Sequence, residues 1–188
     1  MNFNRFLGLA MALLLLPAVN AWADDYTDTI KIFQNAGESG TFFSHAYGYA
    51  VFPTIGKGGI GVGGAHGKGR VYEQGAYIGD TSMTQVTIGF QLGGQAFSQI
   101  VFFEDKRALS EFTGGNFEFG AQAQAVAITA AAGATAATTG ATAGASGGKN
   151  DAVTVGKYHK GMAVFTVAKG GLMYEASVGG QKFSYTPK

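Results

Sequence analysis

Residues 48–74, GYAVFPTIGKGGIGVGGAHGKGRVYEQ, constrain the fold more than any other stretch: nine are glycine and no acid occurs before Glu73. Gly48-Tyr49-Ala50-Val51-Phe52 has the β-branched and aromatic content of a strand. Pro53, which cannot donate to a sheet ladder, is predicted to end it. Ile60 and Val62 then alternate with Gly59, Gly61 and Gly63, so an extended segment has one apolar face and one of bare backbone. Glycine on that bare face permits close packing, a bulge or a tight bend of the sheet. Lys57, Lys68 and Arg70 stand at the two ends of the same glycine-rich element, where they offer donors to an anionic ligand.

Two phosphate loops are testable on these residues, and both fail. Gly59, Gly61 and Gly64 satisfy GxGxxG, but a dinucleotide site needs a helix opening from the loop. Ala65-His66-Gly67-Lys68-Gly69 is no helix start. A Walker A loop fails because Val62 stands in place of its first glycine and Gly69 replaces the hydroxyl residue after Lys68.

The segment AYGYAVFPTIGKGGIGVGGAHGKGRVYEQG, continued by TIGFQLGGQAFSQIVFFEDKRALSEF, resembles the SYLF domain over roughly residues 30–186. That family includes bacterial exported proteins, yeast actin-patch proteins and phosphoinositide-binding proteins of animals and plants. The resemblance implies non-enzymatic binding of phospholipid, often phosphoinositide, through a basic surface and an amphipathic N-terminal helix. Actin binding belongs to the fungal members, and nothing in this chain separately encodes it.

Asn2 to Ala23 reads as a secretory signal peptide: Arg5 is the positive end, Phe6 to Val19 the apolar centre and Ala21-Trp22-Ala23 the small-residue cleavage site. The apolar run is short of the ~20 residues of a spanning helix, so cleavage before Asp24 and a periplasmic or envelope-associated protein are expected. The remainder, 24–188, suits one domain with a sizeable core. The chain has 13 Lys and Arg against 12 Asp and Glu, and Arg5 falls in the leader, so the exported portion is balanced. Balance argues against a nucleic-acid partner, which calls for a basic excess. With no cysteine, the chain has neither a lipoprotein anchor nor disulfides.

Asp24 to Glu38 carries Tyr26, Ile30 and Phe33 at helical spacing, with acids near its N-terminus where the helix dipole favours them. Gly40 is expected to break this helix. Thr41 to Tyr47 is expected to form a second, with Phe42, Phe43 and Ala46 inward. Membrane contact by the first helix is opposed by its charge, since its acids outnumber its single Lys31. Val86, Ile88, Phe90 and Leu92 alternate as a half-buried strand, Gly93-Gly94 turns, and Ala96 to Phe103 returns. Glu104 to Phe112 reads as a helix with Ala108, Leu109 and Phe112 on one face. Phe117 to Ala127 alternates as a strand, and Gly161 to Ala168, Gly171 to Val178 and Gln181 to Tyr185 give three more.

Residues 129–148 are almost wholly Ala, Gly and Thr, an excursion inside the domain. They contain GxSxG at Gly144 to Gly148, but without the strand-to-helix setting that a nucleophile elbow needs. His45, His66 and His159 lack paired ligand spacing, so neither a metal nor another cofactor is implied. The fold expected is α+β: a twisted, mostly antiparallel sheet or open β-barrel, with the N-terminal helices and the 104–112 helix covering its apolar surface. The function expected is binding of anionic membrane lipid, with Lys57, Lys68 and Arg70 as headgroup contacts and Lys31 contributing from the first helix. The alternatives are a small outer-membrane β-barrel and a structural periplasmic protein. The barrel is opposed by the helical interruptions and by the lack of a terminal aromatic.

Overall fold

The computed structural model describes residues 21–89, 94–121, 123–128, 157–169 and 178–188. Within them lie α1 (Ala21–Asn35), α2 (Gly37–Phe42), β1 (Gly48–Glu73), β2 (Ala76–Gly89), β3 (Gln95–Phe103), α3 (Lys106–Thr113), β4 (Phe117–Glu118), β5 (Val126–Ile128), β6 (Met162–Lys169) and β7 (Lys182–Pro187). One sheet in the order β4-β7-β2-β1-β3-β6-β5 holds all seven strands, antiparallel except where β5 pairs with β6. This is the α+β fold expected.

A continuous strand of 26 residues would run about 85 Å, far beyond a domain roughly 40 Å across. β1 doubles back on itself instead. A β-carbon added at Gly69 would lie 2.6 Å from the Phe52 ring and 2.8 Å from the Val51 carbonyl oxygen, and one at Gly67 would lie 2.8 Å from the Thr54 carbonyl oxygen. Gly59, with φ 143°, sits against Gly63 at the tip, and the Gln74 amide donates to the Tyr47 carbonyl at the base (3.0 Å). The first arm pairs with β3, from Gly48 opposite Phe103 to Lys57 opposite Gln95. The second pairs with β2, from Gly61 opposite Gly89 to Glu73 opposite Ala76. The glycines allow close packing, as the alternation predicts.

Alternation then sorts the side chains into two clusters. Inside the curl of the sheet lie Ala50, Phe52, Ile55, Val71, Met83, Phe97, Val101, Phe103 and Phe183, closed by Ala108, Leu109 and Phe112 of α3. Asp105 starts that helix, its carboxylate accepting from the Ala108 amide at 2.8 Å. On the outer side of the first arm of β1, β3 and β6, Val51, Ile100, Phe102, Phe165 and Val167 are covered by Phe33 and Phe42, with Tyr26 and Ile30 alongside. Each such phenylalanine contributes about 1.5–3 kcal/mol by its burial.

Four expectations are corrected. The strand read from Val86 onward turns the other way at its start: Val86 is exposed and Gln85 is buried, its Nε2 donating to the Gly179 carbonyl (2.9 Å). Pro53 does not end the strand: the register with β3 shifts between Phe52 and Ile55, so the missing N–H falls in a bulge, and the Pro53 carbonyl accepts from Ser98 Oγ (2.7 Å). The second helix is Gly37–Phe42, not Thr41 to Tyr47, and Gly40 is inside it. Without a β-carbon, Gly40 lets α2 settle on the Gln34 carbonyl at the end of α1, where Ser39 Oγ also donates to the Phe33 carbonyl (2.6 Å). Phe42, Phe43 and Ala46 nevertheless pack inward. Phe117 to Ala127 is strand only at Phe117–Glu118, with Val126–Ile128 a separate strand. Between them the backbone bonds to the 178–181 segment, Phe119 N–H to the Gln181 carbonyl (3.0 Å) and Val178 N–H to the Ala123 carbonyl (3.2 Å). Residues 1–20 of the expected leader, Gly93 of the expected turn, the 129–148 excursion with its GxSxG, and the expected strand before Val178 lie outside the described residues.

Tyr158 packs edge-on to Phe42 at 5.1 Å, and its buried hydroxyl has no hydrogen-bond partner among the described residues. Burial, aided by Glu104, pushes that hydroxyl up to about 12. A raised folded-state value means a contribution to stability that is complete below pH ~10 and lost as pH rises toward 12. Tyr158→Phe is expected to match or exceed the native stability at neutral pH and to lose less between pH 10 and 12, as urea unfolding at a series of pH values will show.

Candidate functional site

The helices cover only part of the outer sheet surface, and the second arm of β1 with β2 and β7 forms the bare remainder. Along that arm Ala65, Gly67, Gly69 and Val71 are buried on the inner side, while His66 and Lys68 are exposed and Arg70 is half-buried on the outer side. Cross-strand partners share a face, which builds three rows: Lys68 beside Ser82 and Ser184, His66 beside Thr84 and Lys182, and Arg70 beside Asp80 and Thr186. Ser82 Oγ and Ser184 Oγ are 2.7 Å apart, and Lys182 Nζ lies 3.6 Å from Glu118 across the next strand.

Arg70 joins two elements. Its guanidinium stands 4.3 Å from the ring centroid of Tyr26 on α1 and 5.1 Å from that of Tyr77 on β2. Tyr72 stacks on Tyr49 at 5.0 Å behind them, and Lys188 Nζ approaches Tyr77 at 5.3 Å. Burial raises the Tyr26 hydroxyl, with Arg70 opposing it; burial and then a hydrogen bond to Asp80 raise that of Tyr77. Both rings therefore stay neutral beneath the cation and retain the quadrupole that holds it.

Of the four expected contacts, Lys68 and Arg70 share one face in adjacent outward rows. Lys57 is on the other arm toward the tip, half-buried, and alternation from the buried Ile55 puts it on the inner side. Lys31 is exposed on α1, 3.6 Å from Asp28. The four do not converge on one pocket. Two further groups belong to this surface, His66 and Lys182, while Lys169 stands at the end of β6 beside β3, its Nζ donating to Thr54 Oγ1 of the first arm at 2.7 Å. His66 was legible in sequence as the residue two before Lys68 on the same strand. Lys169 and Lys182 come from strands remote in sequence, and no local pattern points to them.

Charge is sorted along the sheet as well as across it. β1 carries one acid, Glu73, at its base, β2 carries only Asp80, and β3 and β6 carry none. The glycine tip of β1 and the end of β6 bear Lys57 and Lys169 instead. Among the described residues, no group of three or more His, Asp or Glu is placed to hold a metal ion, and no helix is long and apolar enough to cross a membrane.

This surface lies on a chain similar to beta cell expansion factor A of Aeromonas veronii, with 26% identity over 175 residues. The match takes in 88% of this chain and 55% of that protein, so the chain spans little more than half of its relative's length. Residues 84–186, from β2 through the last strand, match the family described as Ysc84, Las17-binding protein actin regulator, and the chain belongs to that family, the one whose domain is called SYLF.

Proposed function

We propose that this protein binds anionic phospholipid at a membrane surface of the cell envelope and catalyses no reaction. The observation that carries the reading is the sorting of charge along the sheet: Lys57, His66 and Lys68 stand toward the tip of β1 and Lys169 at the end of β6, Glu118 is paired with Lys182, and Glu73 and Asp80 are held near the base. Family membership supports a binding role. The apolar face of α1 is spent on the sheet, with Phe33 fully buried, so the strands and not that helix supply the lipid contact.

An outer-membrane barrel is the poorer reading. Such a barrel is apolar outside and polar within, whereas here Phe52, Phe97, Phe103 and Phe183 are among the side chains that fill the inside, and the bare outer face carries lysine, histidine and hydroxyls.

Flotation with phosphatidylcholine vesicles, with and without phosphatidylglycerol, tests the proposal. The protein should float only with the anionic vesicles and be released by salt. Each cation near the surface contributes about 1 kcal/mol, so Lys57→Gln with Lys169→Gln should weaken binding roughly thirtyfold. Arg70 is kept in that variant because its loss would also free Tyr26 and α1. Equal flotation with neutral vesicles, or binding unchanged by the double substitution in a protein of native circular dichroism, would refute the reading.

A further inference from the structure

The geometry points to an end-on docking pose, in which the tip of β1 and the adjoining end of β2 enter the bilayer interface through Val62 and Val86. This deepens the lipid-binding reading and rests on it. Val62 and Val86 are 66% and 77% exposed, on adjacent strands of the outer face: Val62 is opposite Ile88, and Val86 is opposite Gly64. The remaining exposed large apolar side chain among the described residues, Ile32, is away on α1. Two bare valines at the end of a sheet gain little from the fold, since both are largely exposed and neither belongs to a core cluster.

What surrounds them specifies the occupant. His66 is two residues from the position opposite Val86, about 7 Å along the strand. Lys169 is opposite Ala96, which is opposite Gly56, the neighbour of Lys57. With the valines at the acyl boundary, His66, Lys57 and Lys169 fall within or beside a headgroup layer roughly 5–7 Å deep. Lys68 stands about 13 Å from the Val86 row and Arg70 about 20 Å, beyond a Debye length of ~8 Å. Glu73 and Asp80, with Glu104 and Asp105 after β3, lie toward the opposite end and face away from the anionic surface in this pose. A second copy of the chain would bring the same cations together, which disfavours self-association through this end.

The chain has no cysteine, so single cysteines at Val62, Val86 and, as a control, Ser110 on the exposed side of α3 can each carry an environment-sensitive fluorophore. With phosphatidylcholine vesicles containing phosphatidylglycerol, the labels at 62 and 86 should shift to the blue and be quenched by spin-labelled lipid, and the label at 110 should not. Unlabelled Val62→Asp and Val86→Asp proteins should each bind these vesicles roughly tenfold more weakly, with Lys169→Gln weakening binding more than Arg70→Lys. Binding of the vesicles with the 62 and 86 labels still in water would overturn this pose and leave lipid binding standing. Failure of the unsubstituted protein to bind any vesicle would overturn both, and burial of the two labels without lipid as protein concentration rises would identify a second copy as the occupant.

Discussion

Replacing Gly69 by alanine is expected to cost about 2–3 kcal/mol, a large share of the roughly 5–15 kcal/mol that holds a domain of this size. The added carbon would meet the Phe52 ring at 2.6 Å and the Val51 carbonyl oxygen at 2.8 Å, both fixed by the pairing of the first arm with β3. Neither can retreat, because Phe52 is fully buried and in ring contact with Phe183 at 5.7 Å. Gly56, on the opposite arm of the same strand, has nothing within 4 Å of the corresponding position. There alanine should be neutral or stabilise slightly, since it restricts the unfolded chain. Urea unfolding of the two variants compares a collision with a control, and equal midpoints would mean that the arms do not lie side by side.

Gln99→Leu should cost about 3 kcal/mol for a different reason. Gln99 and Gln181 are both fully buried and exchange reciprocal amide bonds, Nε2 to Oε1 at 2.9 and 3.0 Å, between β3 and the residue before β7. Each bond alone is worth about 1 kcal/mol net, but the single substitution leaves the donor and acceptor of Gln181 buried and unmatched. Gln99→Leu with Gln181→Leu removes both ends at similar volume and should recover most of the loss. A double variant as unstable as the sum of the singles would show that packing, and not the orphaned amide, sets the cost.

The strands were legible in the sequence because alternation is a local signal. β3, β6, β7 and α3 follow from apolar spacing, and the parity that puts Lys68 and Arg70 on one face follows from the same rule, whereas in β2 the spacing points to the wrong face, since Gln85 is buried and Val86 exposed. What escaped depends on contacts between distant residues. Pro53 reads as a stop until β3 is present to accept a bulge beside it. Gly40 reads as a breaker until α1 provides the surface that α2 must approach closely. The Arg70 guanidinium reads as a free donor until Tyr26 and Tyr77 arrive from two other elements to hold it. The surface itself was half legible: the cations of β1 stand in one stretch of sequence, whereas Lys182 reaches it only through the order of the sheet.

The most direct measurement of the central claim is equilibrium binding of the protein to vesicles in which phosphatidylglycerol replaces phosphatidylcholine stepwise at constant ionic strength. Affinity should climb steeply with anionic lipid and fall as salt is added, with neutral vesicles left unbound. Affinity that is flat across the lipid series, or absent at every composition, would contradict the account.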